Sequence, residues 1–265
     1  MGVLEGKVIV VTGASRGLGE ATAIGFAQEG ASLVLAARTK DDLERVADAC
    51  AAAGGARPMV VATDIADEGQ VQDLVDQTLA AFGRIDVFVA NAGISYGELT
   101  EKRYRELTTY DLDIVEGVFR TNVFGTWLCM KIALPAMADG GSFIAIGSET
   151  GRALYPGAGI YAITKSTIDA MVTLVAREQA PRQIRVNVLS PGGMVDTKLF
   201  GPNGMPEFLK QQHPPLPAEV MVPAAVWLAS DDSAGTTGGF VSGKDFNARG
   251  VEEIRASLAA PAHHG

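Results

Sequence analysis

The sequence predicts an α/β protein: a single domain built on one doubly wound parallel sheet of about seven strands, with helices on both faces. Three observations carry that prediction. Short apolar runs rich in β-branched residues alternate with longer stretches of helical periodicity along the 265-residue chain. The runs are apolar at nearly every position, as in Ile85-Asp86-Val87-Phe88-Val89-Ala90, which fits strands buried on both faces. Residues with chemical potential cluster just after these runs, where an open parallel sheet forms its ligand crevice.

The first strand is expected at 7–12 and leads directly into Gly13-Ala14-Ser15-Arg16-Gly17-Leu18-Gly19. A helical pattern follows over 17–29, with Leu18, Ala21, Ile24 and Ala27 on it. Strand, glycine loop and helix start make a phosphate site. The glycines let backbone N–H groups approach a pyrophosphate, and the helix N-terminus adds positive partial charge. Further strands are expected at 32–37, 58–63, 85–90, 142–148, 184–190 and 239–246, and helices at 40–53, 67–82, about 108–137, 159–180 and 218–230. Residues 193–217, rich in Gly, Pro and Met, break the rhythm and read as a substrate-covering loop with one short helix. The domain is taken as 1–250, leaving 251–265 as a C-terminal tail.

Ser148, Tyr161 and Lys165 are the candidate catalytic group. The lysine follows the tyrosine by four residues, so both share one helix face. An ammonium beside a phenol favours the phenolate and is expected to lower a pKa that starts near ~10. A nearby serine hydroxyl suits an oxygen that gains or loses charge.

The Thr12–Gly19 loop, Asp64, Asn91-Ala92-Gly93, Asn122, Ser148, Tyr161 with Lys165, and Pro191-Gly192 occur in that order. Together they resemble the short-chain dehydrogenase/reductase family in its compact, Rossmann-type, single-domain branch, over about residues 5–247. The resemblance implies an oxidoreductase moving a hydride between a nicotinamide cofactor and a ketone or secondary alcohol. It makes Tyr161 the proton donor, Lys165 its partner, Ser148 the polariser of the carbonyl, and Asn122 the holder of a water that links Lys165 to solvent. Asp64, with the next backbone N–H at Ile65, is implied to meet adenine, and Asn91, Ala92 and Gly93 the adenosine ribose. Pro191, Gly192, Val195 and Thr197 are implied to close over the nicotinamide, the threonine standing one residue later than in the commonest pattern.

The second strand ends Leu35-Ala36-Ala37-Arg38-Thr39, with no acid before Asp41. A carboxylate there would bind the free 2′-hydroxyl of NAD. Arg38, with Arg16 expected nearby, suits the 2′-phosphate of NADP, because a guanidinium binds phosphate in two-pronged fashion. NADP(H) is therefore expected, with NAD(H) as the alternative. Glu149, Leu154, Tyr155 and Tyr96 are candidates to shape substrate choice.

The net charge of −9 argues against a nucleic-acid partner. No apolar run approaches the ~20 residues of a membrane span, and a cytoplasmic location is the default expectation. Cys50 and Cys129 lie far apart in helical patterns, and the three histidines form no ligand pattern, so neither a disulfide nor a metal is expected. Apolar residues along 108–137 and 159–180, including Phe119, Val123, Trp127, Met130, Ile168, Met171 and Val175, point to a homo-oligomer, most simply a tetramer.

Overall fold

The computed structural model describes residues 2–100, 106–201 and 204–259. Its strands are β1 (Val8–Thr12), β2 (Ser32–Ala37), β3 (Met59–Ala62), β4 (Val87–Ala90), β5 (Ser142–Ile146), β6 (Arg185–Ser190) and β7 (Phe240–Ser242). They form one sheet in the order β3-β2-β1-β4-β5-β6-β7, with every pairing parallel. The winding reverses between β1 and β4, and that reversal opens a crevice at the carboxyl ends of the strands.

The helices are α1 (Gly17–Gln28), α2 (Lys40–Ala52), α3 (Glu68–Phe82), α4 (Leu112–Phe119), α5 (Thr126–Ala136), α6 (Glu149–Ala153), α7 (Gly159–Glu178), α8 (Glu207–Gln212), α9 (Val222–Ala229) and α10 (Gly243–Ala259). One face of the sheet presents Ile9, Val11, Leu33 and Leu35 to Phe26 of α1, Val46 of α2 and Leu228 of α9. The opposite face presents Val10, Val34, Phe88 and Phe143 to Leu74 of α3, Cys129 of α5 and Val172 of α7. Alternate residues of one strand thus feed two cores, which is why the runs carry no polar alternation. Phe88 and Phe143 stack with ring centres 5.5 Å apart. A side chain of this kind fully buried contributes about 1.5–3 kcal/mol. Cys50 and Cys129 are buried free thiols, and burial pushes the first up to about 11 and the second to about 12.

Three elements differ from the sequence expectation, each for a local reason. The seventh strand stops at Ser242, whose hydroxyl accepts the Asp245 N–H and starts α10. That helix bends at Gly250 and runs to Ala259 with Ile254 buried, so residues 251–259 of the expected tail belong to the packed fold. Residues 260–265 lie outside the described residues, as do 202–203 of the expected covering loop. The helix expected at about 108–137 is instead α4 and α5 joined by a π-helical stretch, Arg120–Gly125. Asn122 sits inside that wider turn, fully buried. The expected short helix of the covering loop is α8.

Of the apolar residues expected at a subunit interface, Val123, Met130 and Ile168 are buried within the protein. Trp127 remains about half exposed (48%), and Phe124, Leu112 and Leu174 are exposed as well. Among the described residues, no helix is long and apolar enough to cross a membrane, and no His/Cys/Asp/Glu group could hold a metal ion.

Candidate active site

β1 delivers the chain into a tight loop where Gly13 takes φ +62°, a left-handed conformation that side chains rarely adopt. A methyl at Gly19 would lie 2.3 Å from the Gly13 carbonyl oxygen, so only glycine allows α1 to start this close to the strand. The first N–H groups of α1 have no partner within the helix. They line a cleft with Gly13, Ser15 and Arg16. Asn91 fixes the loop from behind, its Nδ2 donating to the carbonyls of Thr12 (2.9 Å) and Gly13 (3.0 Å). From the front, Arg45 of α2 donates to the Ser15 carbonyl at 2.9 Å while ion-paired to Glu20 at 2.6 Å.

The same cleft runs past Ala37, Arg38, Thr39, Asp64 and Ile65 at one end, and past Ala92, Gly93, Tyr161 and Lys165 at the other. Asp64 does not cap α3. Asp67 does, accepting the Gln70 N–H at 3.1 Å. One oxygen of Asp64 takes the Ala66 N–H at 2.9 Å, and the carboxylate stays half-buried at the cleft wall. These donors fit a nicotinamide dinucleotide: backbone amides for the pyrophosphate, a carboxylate and a bordering guanidinium at one end, hydroxyl and ammonium at the other.

At the Tyr161 end of the cleft, Ile146 and Ser148, two residues apart where β5 ends, each meet one of the other candidate residues. The Ile146 carbonyl accepts from Lys165 Nζ at 2.7 Å. Ser148 lies within reach of the Tyr161 phenol, and its Oγ accepts the Thr150 N–H at 3.2 Å. Lys165 Nζ stands 5.6 Å from the Tyr161 ring centre. Asn122 Oδ1 accepts the Ile94 N–H, and its Nδ2 donates to the Ile94 carbonyl, both at 2.8 Å, and to Thr164 Oγ1 at 3.0 Å.

The expectation that Lys165 draws the Tyr161 pKa down is not met. Burial pushes the phenol above its ordinary value, the Ser148 hydrogen bond pulls part of the way back, and the Glu149 carboxylate adds to the rise. Burial also lowers Lys165 to about 8, against the opposing pull of Asp169 one turn along α7. Asp169 is itself raised to about 6, by burial first, with Arg152 and then Lys165 lowering it and Glu149 raising it.

Not every expected residue reaches the cleft. Gly192 faces a separate hollow with Glu149, Arg152 and Lys244, and the Pro191 carbonyl accepts the Lys244 N–H at 3.1 Å. Val195 is buried in a bridge to Leu216. Thr197 does border the cleft, but close to Gly17 at the glycine loop. Glu149 turns away from it to accept from Ser190 Oγ at 2.6 Å.

Arg16, expected to meet a phosphate, is ion-paired with Glu98 at 2.9 Å. Glu98 borders the cleft and had no mark in the sequence, because the two residues are 82 positions apart. Asp42, Arg45 and Leu199 were missed for the same reason: each reaches the site by packing, not by motif.

A family profile described as enoyl-(acyl carrier protein) reductase matches residues 13–242. The chain is 39% identical over 200 residues to an uncharacterized oxidoreductase of Methylorubrum extorquens, covering 74% of this chain and 76% of the relative. It is 34% identical to a 3-oxoacyl-[acyl-carrier-protein] reductase of Thermotoga maritima, covering 89% and 95% of the two chains. Its fold is similar to a carveol dehydrogenase from Mycobacterium avium in complex with NAD, with TM-score 0.80 and 27% identity over 91% and 97% of the two chains. With a glycine loop, a doubly wound sheet and a Ser–Tyr–Lys group in these places, the chain belongs to the short-chain dehydrogenase/reductase family of oxidoreductases.

Proposed function

We propose that the protein interconverts a ketone and a secondary alcohol of a small apolar molecule, using NADP(H) and working in the reducing direction. The observation that supports this best is the meeting of Tyr161 and Lys165 at one end of a cleft suited to a dinucleotide, with Ser148 next to the Tyr161 phenol. A bound reduced nicotinamide supplies hydride to the carbonyl carbon. The chain's own residues handle the proton and the charge. A tyrosine phenol is protonated at neutral pH, the state that a general acid needs in reduction, and burial of Tyr161 reinforces that state. As the carbonyl oxygen gains charge, Tyr161 gives it a proton and Ser148 a hydrogen bond. Lys165, itself buried, then lies beside the phenolate that remains. The Asn122 side chain is committed to Ile94 and Thr164, next to the helix that carries Lys165, where a water linking Lys165 to solvent would complete a proton relay.

Arg38 at the cleft with Ala37 before it supports NADP(H). Two observations favour the NAD(H) reading: Arg16 is engaged by Glu98, and the similar carveol dehydrogenase is in complex with NAD. Exposed Leu112, Phe124, Trp127 and Leu174, on the helical segments 112–136 and 159–178, support a homo-oligomer, a tetramer by dihedral symmetry, which light scattering reads directly. The activity is tested with a panel of steroid, terpenoid, polyketide and aromatic ketones, following loss of the reduced nicotinamide. Turnover of at least one class is expected. Tight binding of both nucleotides with no turnover across the panel contradicts the reading.

A further inference from the structure

Glu98 ends the single 3₁₀ turn Tyr96–Glu98, which follows the Asn91-Ala92-Gly93 segment after β4. It comes from a different part of the chain than the β2 end, where an acid that reads the ribose was sought. Its carboxylate nevertheless lies on the same cleft wall as Arg16 and Arg38. It is the more enclosed member of its ion pair: its side chain is 14% exposed, against 45% for Arg16. Burial raises the Glu98 carboxyl above its ordinary value, while Arg16 and then Arg38 pull it back, so both guanidiniums feel its charge.

Two cofactors would meet this arrangement differently. A 2′-phosphate carries nearly two negative charges and needs guanidinium donors. Here it must draw Arg16 away from Glu98 and then sit in the field of that carboxylate. A free 2′-hydroxyl carries no charge, can donate to a carboxylate, and leaves the Arg16–Glu98 pair intact. The partial enclosure of Glu98 limits screening by salt, so the repulsion persists at ordinary ionic strength.

We propose that Glu98 is a specificity-determining residue for the cofactor: by holding Arg16 and opposing Arg38, it disfavours NADP(H) relative to NAD(H). This deepens the dinucleotide reading of the cleft and rests on it. The preference of the protein is then a balance between Arg38 and Glu98, one drawing in the phosphate and the other opposing it.

The test is Glu98→Gln, which keeps the shape of the side chain and removes its charge. Dissociation constants for NADPH and NADH are measured by nucleotide fluorescence with the full chain, together with kcat/KM for each on the best ketone. The variant should raise the NADPH-to-NADH ratio by about 10-fold or more, the scale of one charge-assisted hydrogen bond regained. Arg16→Gln should cancel that gain in the Glu98→Gln background while changing the ratio little by itself, a coupling that a double-mutant cycle isolates. A purely structural clasp between the two loops would lower binding of both nucleotides alike and leave the ratio unmoved. Unchanged ratios with both nucleotides still bound overturn the assignment of Glu98. Failure of the unmutated chain to bind either nucleotide overturns the reading of the cleft instead. Should Glu98→Gln melt early, Glu98→Ala supplies the same comparison: an NADPH-to-NADH ratio no higher than that of the unmutated chain, with both nucleotides still bound, contradicts the role.

Discussion

The two ends of the cleft are built in opposite ways. At the catalytic end, Asn122 and Lys165 are buried and held by backbone groups, the first at Ile94 and the second at the Ile146 carbonyl. At the other end, Arg38 and Thr39 are exposed on the turn after β2, and Arg16 is held, among the described residues, by the side chain of Glu98. A residue locked by backbone contacts has one place to be. An exposed charge has several, and its effect depends on which charges surround it. Chemistry is therefore fixed by packing in this protein, while cofactor preference is set by a balance of charges.

That difference can be sharpened by mutation. The largest effect is expected from Asn122→Ala at the rigid end. It strands the buried N–H and carbonyl of Ile94, at about 1–3 kcal/mol for each unsatisfied group. Denaturant titration should show a stability loss of at least ~2 kcal/mol, with activity falling as well. A stability change under ~0.5 kcal/mol would mean that the Ile94 segment is held by something else.

The next effect lies at the charge-balanced end. Ala37→Asp with Arg38→Leu adds a ribose acceptor and removes a phosphate partner. The ratio of kcat/KM with NADPH to that with NADH should fall by about 10- to 150-fold, from ~1.5–3 kcal/mol for one charge-assisted hydrogen bond. Thermal stability should hardly change, since Arg38 is exposed. A fall in stability comparable to that of Asn122→Ala would erase the contrast between the two ends.

The smallest effect concerns pH. Lys165, lowered to about 8 by burial, loses its charge as pH rises through that value, so reduction should decline on the alkaline side near there. The Asp169 carboxylate, one turn along α7, favours the ammonium and opposes that loss. Arg152 and Glu149 of α6 face Asp169 as well, with opposite effects on it. Asp169→Asn should therefore move the alkaline limb of the kcat/KM profile to lower pH, by about one unit or less. An unmoved limb would mean that Asp169 does not reach Lys165 electrostatically.

The same contrast governs what the sequence alone could reveal. Strand runs feeding two cores, the glycine loop and the Tyr161–Lys165 spacing were legible because each is local: a period of two, a helix turn, a close approach. The π-helical turn around Asn122 was not, since Gly117 and Gly125 fit within a helical pattern, while the turn widens to bring Asn122 to Ile94 and Thr164. The early end of β7 rests on one cap at Ser242. The Arg16–Glu98 pair joins two loops that only the finished fold brings together, so Glu98 as the partner of Arg16 could not be read from the chain. The upward shift of Tyr161 was hidden likewise, because spacing reveals a neighbouring ammonium but not the depth of burial.

The central claim is that Tyr161 transfers the proton in a dinucleotide-dependent reduction. Tyr161→Phe tests it most directly, because it keeps the ring and removes only the hydroxyl. Turnover on the best ketone should fall by at least ~10²-fold, the usual scale for a lost general acid, while both reduced nucleotides bind as before. Near-normal turnover with the phenylalanine in place would contradict the account.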